Sequence, residues 1–239
     1  MEEQRMQNLK VAEAALQQLF AEYEARGMIA VYLWGSILRS EYAPNTSDID
    51  SLGIVSPDFD LENKAVMNER LSELAPELFD FRINLVPLTD MQGAPPRSRL
   101  ATVIPPETLL MEFDTWRHVA GKRFQLSDFT SQLPTAKRAL CKNIAIVKTH
   151  YIPQIQSGDY SKYKSFLKQM MHVCHFRNMA EKAYEPFSYD TLVTQSIPET
   201  RDIVDMLISS RQNGWERLSD DNFRNILSFL GTMESVLCK

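Results

Sequence analysis

The N-terminal part of the chain alternates between helical and strand periodicity. Apolar residues recur at helical spacing over Met6–Arg26, and Gly27 follows as a helix stop. Runs rich in β-branched and aromatic residues predict strands at Met28–Trp34 and Ile49–Val55. Between the two strands a tight turn leads into a predicted short helix, Ile37–Tyr42. The predicted order is therefore helix, strand, short helix, strand.

Helices and strands continue to alternate further along the chain. A helix is predicted at Leu61–Leu74, with Val66, Leu71 and Leu74 in its buried stripe, and a strand is predicted at Phe79–Leu88. Loops rich in glycine and proline then enclose a possible short strand, Leu100–Ile104, and a helix is predicted at Thr108–Ala120. This alternation predicts a layer in which helices cover one face of a sheet.

From about residue 127 onward the strand signals fade and the periodicity is helical. The predicted helices are Lys137–Ile155, Tyr160–Tyr184, Tyr189–Thr194, Glu199–Gln212 and Asp220–Leu237. We therefore predict an α+β protein with two domains. Residues 1–126 form a mixed sheet with helices, and residues 127–239 form an α-helical bundle.

The composition is that of an ordinary folded protein, since 44% of the residues are hydrophobic and 24% are charged. The net charge of −5 argues against a protein that coats nucleic acid. The charge is unevenly divided: residues 1–125 carry 12 Lys and Arg against 19 Asp and Glu, whereas residues 126–239 carry 14 against 12. The basic excess is concentrated in Lys137–Lys182, a candidate surface for anions.

The three cysteines, Cys141, Cys174 and Cys238, are scattered along the chain. This odd set without close spacing favours free thiols in a reducing compartment over disulfides or a zinc site. The N-terminus is too acidic and polar for a signal peptide, and no apolar run approaches the roughly 20 residues that span a bilayer. We expect a cytoplasmic protein that does not span a membrane.

Candidate chemistry is concentrated where the first predicted strand ends and the second begins. Gly35 and Ser36 follow the first strand, and Asp48 and Asp50 lie at the start of the second. Side chains two positions apart on a strand project from the same face. The two carboxylates can therefore hold one divalent cation.

The Gly-Ser pair, the eleven residues after it and the Asp-Ile-Asp sequence resemble the signature of the nucleotidyltransferase superfamily. This family has the polymerase-β-like fold and includes the aminoglycoside adenylyltransferases and the small MNT proteins. The resemblance implies that Asp48 and Asp50 coordinate Mg²⁺, and that Gly35 and Ser36 contact the triphosphate of ATP or another nucleoside triphosphate. The implied reaction is transfer of a nucleotidyl group, normally AMP, to a hydroxyl of a small-molecule acceptor.

Further candidate contacts to the nucleotide are basic. Arg39 follows the Gly-Ser pair closely, and Lys164, Lys168 and His172 recur at helical spacing on one predicted helix. That helix face is either an ordinary solvated surface or a cationic surface that holds the triphosphate or an anionic acceptor. Ser36 likewise can act as a helix N-cap, as a phosphate ligand, or as both.

The third predicted strand departs from the family pattern. Family members usually carry a third carboxylate there, whereas this chain has Asn84. An amide oxygen can contact a metal or a ribose, but it carries no negative charge and takes up no proton at neutral pH. Asp80 shares the predicted strand face but lies roughly 13 Å away along it. Glu112, in the next predicted helix, is a candidate general base.

Two hypotheses of function differ in kind. The first is a Mg²⁺-dependent nucleotidyltransferase that uses ATP and modifies a small molecule, as the aminoglycoside adenylyltransferases do. The second is a binding or regulatory protein that keeps the fold and the nucleotide but has lost efficient turnover because of Asn84. Transfer to an RNA end or to a protein is a further alternative, and the net negative charge argues against RNA.

Overall fold

The chain divides into a unit that contains a sheet and a unit that is helical. A computed structural model describes residues 2–39, 41–44, 47–130 and 134–238. The sheet unit comprises Met1–Thr102 and Phe113–Gln132, and the helical unit comprises Val103–Glu112 and Leu133–Lys239. Independent folding of residues 1–126 and 127–239 stays a prediction.

The N-terminal helix, α1, spans Glu2–Tyr23 and continues as a 3-10 turn, Glu24–Arg26. Gly27 ends it in the left-handed region, with φ +103°, and donates its backbone N–H to the carbonyl of Glu24. The apolar residues at helical spacing are buried: Leu9, Ala12, Leu16, Leu19 and Phe20. The helix predicted here is confirmed, because one continuous apolar stripe determines it.

Within the described residues the sheet has four strands, in the order β3-β2-β1-β4. They are β1, Met28–Trp34; β2, Ile49–Val55; β3, Phe81–Pro87; and β4, Arg117–Gly121. β1 is antiparallel to β2 and to β4, whereas β2 is parallel to β3. A parallel pair needs a crossover, which α2, Asn63–Leu74, provides. The predicted limits of the first two strands are confirmed.

The two faces of the sheet differ in what they carry. Alternate buried residues of β1, β2 and β3 join α1 and α2 in one apolar cluster. Asp50 in β2 and Asn84 in β3 fall at the intervening positions, and both are half-buried. The strands therefore place these polar residues at positions that alternate with those of the apolar cluster.

The buried stripe of α2 differs from the predicted one. Leu71 is buried as predicted, whereas Val66 was expected inside and is 54% exposed, and Met67 is buried without having been predicted. Met67 takes the buried position expected for Val66, because contact with the sheet rather than local apolar content selects the inward face. Lys64, three residues before Met67, lies on that inward side.

Two short predicted elements are wrong. A single 3-10 turn, Ser36–Leu38, replaces the predicted helix Ile37–Tyr42. After the short helix α3, which directly follows β3 at Leu88–Met91, the predicted strand Leu100–Ile104 is instead the helix α4, Arg99–Val103. Ser98 starts α4, because its hydroxyl oxygen accepts a hydrogen bond from the backbone N–H three residues later, at 3.2 Å.

The fourth strand was missed, because its residues belong to the predicted helix Thr108–Ala120. The helix α5 is confined to Pro106–Met111, and β4 begins at Arg117. Pairing with β1 satisfies the backbone of this segment and overrides its local preference. Gly121 ends β4 with φ +79°, and a Cβ there would lie 2.3 Å from the carbonyl oxygen of Ile29. This close approach requires glycine.

The helices predicted in the second half are confirmed, with shifted ends. They are α6, Ala136–Ile146; α7, Ile152–Gln156; α8, Tyr163–Met179; α9, Tyr189–Thr194; α10, Pro198–Gln212; and α11, Asp220–Leu237. Their apolar faces share one core, in which Phe166 and Phe176 of α8 are fully buried. In the part of the chain that the structure describes, no helix is both long and apolar enough to cross a membrane.

A π-helical segment, Val147–Tyr151, joins α6 to α7. Pro153 is the second residue of α7. Proline has no backbone N–H, and its ring clashes with the carbonyl four residues earlier in a regular α-helix. The wider π turn accommodates this clash, so the predicted helix Lys137–Ile155 continues through Pro153 without ending.

The expectation of three free thiols is wrong. Cys141 in α6 and Cys238 after α11 form a disulfide, with their Cα atoms 5.4 Å apart. Cys174 is free and buried in α8. A separation of 97 residues gives no sequence signal for this pair. The thiol-based argument for a reducing compartment therefore fails, and a cytoplasmic location stays a prediction.

Candidate active site

The turn after β1 has a backbone conformation that favours glycine. Gly35 has φ +81° and ψ −153°, a region that residues with a Cβ scarcely populate. A Cβ at this position would meet Asp50 Oδ2 at 3.8 Å, which is an ordinary contact distance. The backbone angle, rather than crowding, therefore requires glycine. The same distance places the Asp50 carboxylate beside the backbone of Gly35.

Asp50 is the second residue of β2, and Asp48 directly precedes the strand. Asp50 is paired across the sheet with Trp34, the residue before Gly35. The hydroxyl of Ser36 donates a hydrogen bond to the backbone oxygen of Asp48 at 3.4 Å. The structure thereby brings the turn after β1 together with the carboxylate of Asp50 and the backbone of Asp48.

Ser36 does not begin an α-helix, which corrects its expected role as a helix N-cap. The single turn Ser36–Leu38 is too short to build a helix dipole, and Gly35 precedes it as the capping residue. Arg39 forms an ion pair with Glu41, at 3.5 Å between Nε and Oε2. A contact between Arg39 and a nucleotide would therefore compete with this ion pair, and its role in binding stays a prediction.

Asn84, on the edge strand β3, accepts a hydrogen bond from a lysine. The Lys64 Nζ donates a hydrogen bond to Asn84 Oδ1 at 2.7 Å. Asn68, one turn further along α2, donates to the backbone oxygen of Lys64 at 2.9 Å and accepts from the backbone N–H of Ile83 at 2.8 Å. Asn68 thus ties α2 to β3 and fixes the position of Lys64 relative to Asn84.

The charged side chains that act on Lys64 include two arginines and the carboxylate of Asp50. Burial is the main cause that lowers the pKa of Lys64, and Arg99 and Arg82 lower it further, whereas the Asp50 carboxylate raises it. Arg82 also forms an ion pair with Asp80. Two positive side chains, Arg99 and Arg82, therefore oppose the positive charge of Lys64, and the Asp50 carboxylate favours it.

This architecture is similar to that of a solved enzyme. No protein-family model matches the sequence, and no curated protein matches it. The structure is similar to a crystal structure of spectinomycin adenyltransferase AAD(9) from Enterococcus faecialis with ATP and spectinomycin, at a TM-score of 0.58 and 12% sequence identity. The match covers 98% of this chain and 99% of that chain. The chain has a nucleotidyltransferase-like fold. The predicted α+β class with a helical second part is confirmed.

The residues at the turn fit one hard divalent cation. Mg²⁺ takes oxygen ligands and is commonly held by one or two carboxylates together with waters and substrate phosphates. Asp48 and Asp50 supply such oxygens, whereas the amide oxygen of Asn84 is engaged by the Lys64 ammonium. Among the described residues, including those of this site, no group of three or more His, Cys, Asp or Glu is arranged to hold a metal.

Asp80 does not share the strand face of Asn84. It precedes β3 with φ +46°, a left-handed conformation that interrupts the extended chain. Its backbone oxygen accepts a hydrogen bond from the N–H of Ile49 at 3.3 Å, and its carboxylate pairs with Arg82. The predicted placement of Asp80 on the strand is therefore wrong.

Glu112, the candidate base, lies in the helical unit directly after α5. It is buried, and its Oε1 accepts hydrogen bonds from the Tyr184 hydroxyl at 2.5 Å and the backbone N–H of Phe187 at 2.9 Å. Burial first, and then the Glu112 carboxylate, raise the pKa of Tyr184. These bonds hold the segment after α8 against the end of α5. A catalytic role for Glu112 stays a prediction.

Lys164 and Lys168 lie on α8 in the helical unit. Both are close to the ring of Trp215, with Nζ 5.8 and 6.0 Å from its centroid. Lys164 is exposed and Lys168 is half-buried. Arg177, further along α8, is buried beside Glu181 and so does not extend the exposed cationic face. Anion binding by the two lysines stays a prediction.

Lys64 and Arg99 were not among the residues predicted from the sequence. For Lys64 a signal was present, because Lys64, Met67 and Leu71 follow one another at helical spacing and the latter two are buried. For Arg99 no signal was available, because its segment was assigned to a loop and a strand.

Proposed function

We propose that the protein is a Mg²⁺-dependent nucleotidyltransferase that transfers AMP from ATP to a hydroxyl group of a small molecule. The observation that carries the proposal is the glycine-only turn at Gly35 beside the carboxylate of Asp50, with Asp48 tied to the same turn. The similarity in fold to an adenyltransferase crystallised with ATP and spectinomycin supports a nucleotide and a small-molecule acceptor.

The proposed reaction forms a bond from the acceptor oxygen to the α-phosphorus and breaks the bond from that phosphorus to the bridging oxygen, so that pyrophosphate leaves. Mg²⁺ held by Asp48 and Asp50 would supply charge neutralisation at the phosphates. Gly35 would let the chain approach the triphosphate without a Cβ. The acceptor proton passes to a group other than Asn84, because an amide accepts no proton at neutral pH.

The first test removes a single charge. Asp50→Asn preserves the volume of the side chain and removes a metal ligand, so we expect pyrophosphate release to fall about 100-fold or more. The assay combines ATP and Mg²⁺ with a panel of aminocyclitol and aminoglycoside acceptors. Chelation of the metal with EDTA should abolish release by the unmodified protein in the same assay.

Asp202→Asn is the matched control, because Asp202 is exposed on α10, away from β2 in the sequence. We expect it to keep full activity. Unfolding temperatures of both variants separate loss of chemistry from loss of fold. Full activity of Asp50→Asn would contradict the proposal.

A second candidate function is nucleotide binding without turnover, and the hydrogen bond between Lys64 and Asn84 favours it. With an amide oxygen engaged by an ammonium, β3 contributes no base and no further metal ligand. Calorimetric binding of ATP and Mg²⁺ that Asp50→Asn abolishes, without pyrophosphate release for any acceptor in the panel, would favour this candidate over the enzyme.

A further inference from the structure

Lys64 is held in place more firmly than a surface lysine. Its Nζ is bonded to Asn84 at 2.7 Å, and its backbone is tied to β3 through Asn68. Both contacts come from regular elements, α2 and β3. The position of the ammonium is therefore fixed before any ligand arrives, which reduces the entropy cost of using it for binding.

The charges around Lys64 favour an anion. Arg99 and Arg82 act on Lys64 with the same sign of charge, and the Asp50 carboxylate opposes them. Arg82 is balanced by its ion pair with Asp80. Arg99 is exposed at the start of α4. A polyanion bound next to these side chains would relieve the repulsion between Lys64 and Arg99.

The hydrogen-bonding capacity of Lys64 is suited to such a ligand. An ammonium has three N–H donors, and Asn84 accepts a bond from Lys64 without neutralising its charge. A carboxylate at position 84 would instead form an ion pair with Lys64. The amide therefore orients the ammonium and preserves its positive charge for another partner.

We propose that Lys64, oriented by Asn84, is a binding residue for the phosphate groups of the nucleoside triphosphate. This inference rests on the proposed function, because it takes the nucleotide as the ligand at Asp48 and Asp50. It assigns Asn84 the role of orienting Lys64, rather than the role of a weakened metal ligand. In this role the amide of Asn84 supplies a hydrogen-bond acceptor that does not neutralise Lys64.

The test measures ATP affinity by calorimetry in the presence of Mg²⁺, without requiring turnover. Lys64→Met removes a charge-assisted hydrogen bond, so we expect ATP to bind about 10- to 100-fold more weakly. Lys64→Arg retains the cation and should recover part of the loss. Lys10→Met, at an exposed position on α1, is the matched control and should bind ATP as the unmodified protein does.

Asn84→Asp distinguishes the two roles of position 84. If Asn84 orients Lys64, the new carboxylate neutralises the ammonium and repels the triphosphate, so ATP binds more weakly. If Asn84 is a weakened metal ligand, the same change strengthens binding of Mg²⁺ and ATP and contradicts the proposal. Asn213→Asp, at an exposed position after α10, controls for the added negative charge.

The outcomes separate this inference from the proposed function. Weaker ATP binding by both Lys64→Met and Asn84→Asp, with unchanged unfolding temperatures, supports the inference. Unchanged affinity of Lys64→Met, while Asp50→Asn abolishes binding, overturns the inference and leaves the proposed function intact. Absence of ATP binding by the unmodified protein overturns both. The inference is also overturned if Lys64→Met weakens the binding of adenosine, which lacks phosphates, as much as it weakens the binding of ATP.

Discussion

At the scale of single residues, Gly35 couples backbone geometry to the candidate site. Its φ of +81° and ψ of −153° lie in a region open to glycine, and other residues held there cost about 1–3 kcal/mol. Gly35→Ala should therefore lower the free energy of unfolding by an amount of that order. It should also weaken ATP binding, because relaxation of the turn displaces the backbone beside Asp50. Denaturant unfolding and calorimetry measure the two effects.

Gly231→Ala is the matched control for this change. Gly231 lies within α11, and a Cβ there would meet no atom within 4 Å. Alanine loses less conformational entropy than glycine in a helix, so we expect a gain of about 0.5–1 kcal/mol. A Gly35→Ala protein as stable as the unmodified chain would contradict the strain assigned to this turn.

His175 on α8 gives a pH-dependent prediction. The side chain is fully buried among the rings of Phe176, Tyr184 and Phe187, and burial lowers its pKa from 6.5 to about 4. Above pH 6.5 the histidine is neutral in both the folded and the unfolded chain, so its protonation does not lower the stability of the fold. Between pH 6.5 and about 4 the unfolded chain takes up a proton that the folded chain excludes. Stability therefore falls as the pH falls.

The expected loss across this window is about 3 kcal/mol, since each pKa unit corresponds to about 1.4 kcal/mol. Chemical denaturation at a series of pH values measures it. His175→Phe removes the titrating group and should flatten the decline. His118→Gln, on the half-exposed strand β4, is the control and should leave the decline in place. Identical pH profiles for His175→Phe and the unmodified protein would contradict this assignment.

At the scale of elements, the sequence predicts the segments whose burial follows one clear period. β1 and β2 are continuous apolar runs, and α1 carries a continuous stripe, so their limits could be predicted. β4 lacks such a pattern, because its residues are half-exposed and its strand conformation comes from pairing with β1. Tertiary pairing of this kind leaves no local signal.

The same limit applies to the candidate site: its local motif could be predicted from the sequence, but its tertiary contacts could not. The motif at Gly35 and Asp50 depends on residues close together in the sequence, and the structure brings them together. The contact between Lys64 and Asn84 joins a helix to an edge strand 20 residues away. It depends on which side of α2 faces the sheet, and that side is set by packing with the rest of the unit.

At the scale of the whole molecule, the disulfide encloses most of the helical unit. Cys141 and Cys238 close a loop across 97 residues, which contains α7 to α11. Closing such a long loop restricts the unfolded chain strongly, and the chain-entropy model assigns it about 4–5 kcal/mol. No comparable link lies within the described residues of the sheet unit. Oxidation should therefore stabilise the helical unit selectively.

This selectivity is a prediction about unfolding under reducing and oxidising conditions. Dithiothreitol should lower the free energy of unfolding of the helical unit by several kcal/mol, up to about 4–5, while that of the sheet unit changes little. Hydrogen exchange of peptides from each unit measures the two free energies separately. In the variant that carries both Cys141→Ser and Cys238→Ser, dithiothreitol should have no effect. Thiol titration of the denatured, unreduced protein should detect Cys174 alone, whereas three reactive thiols would contradict the pair.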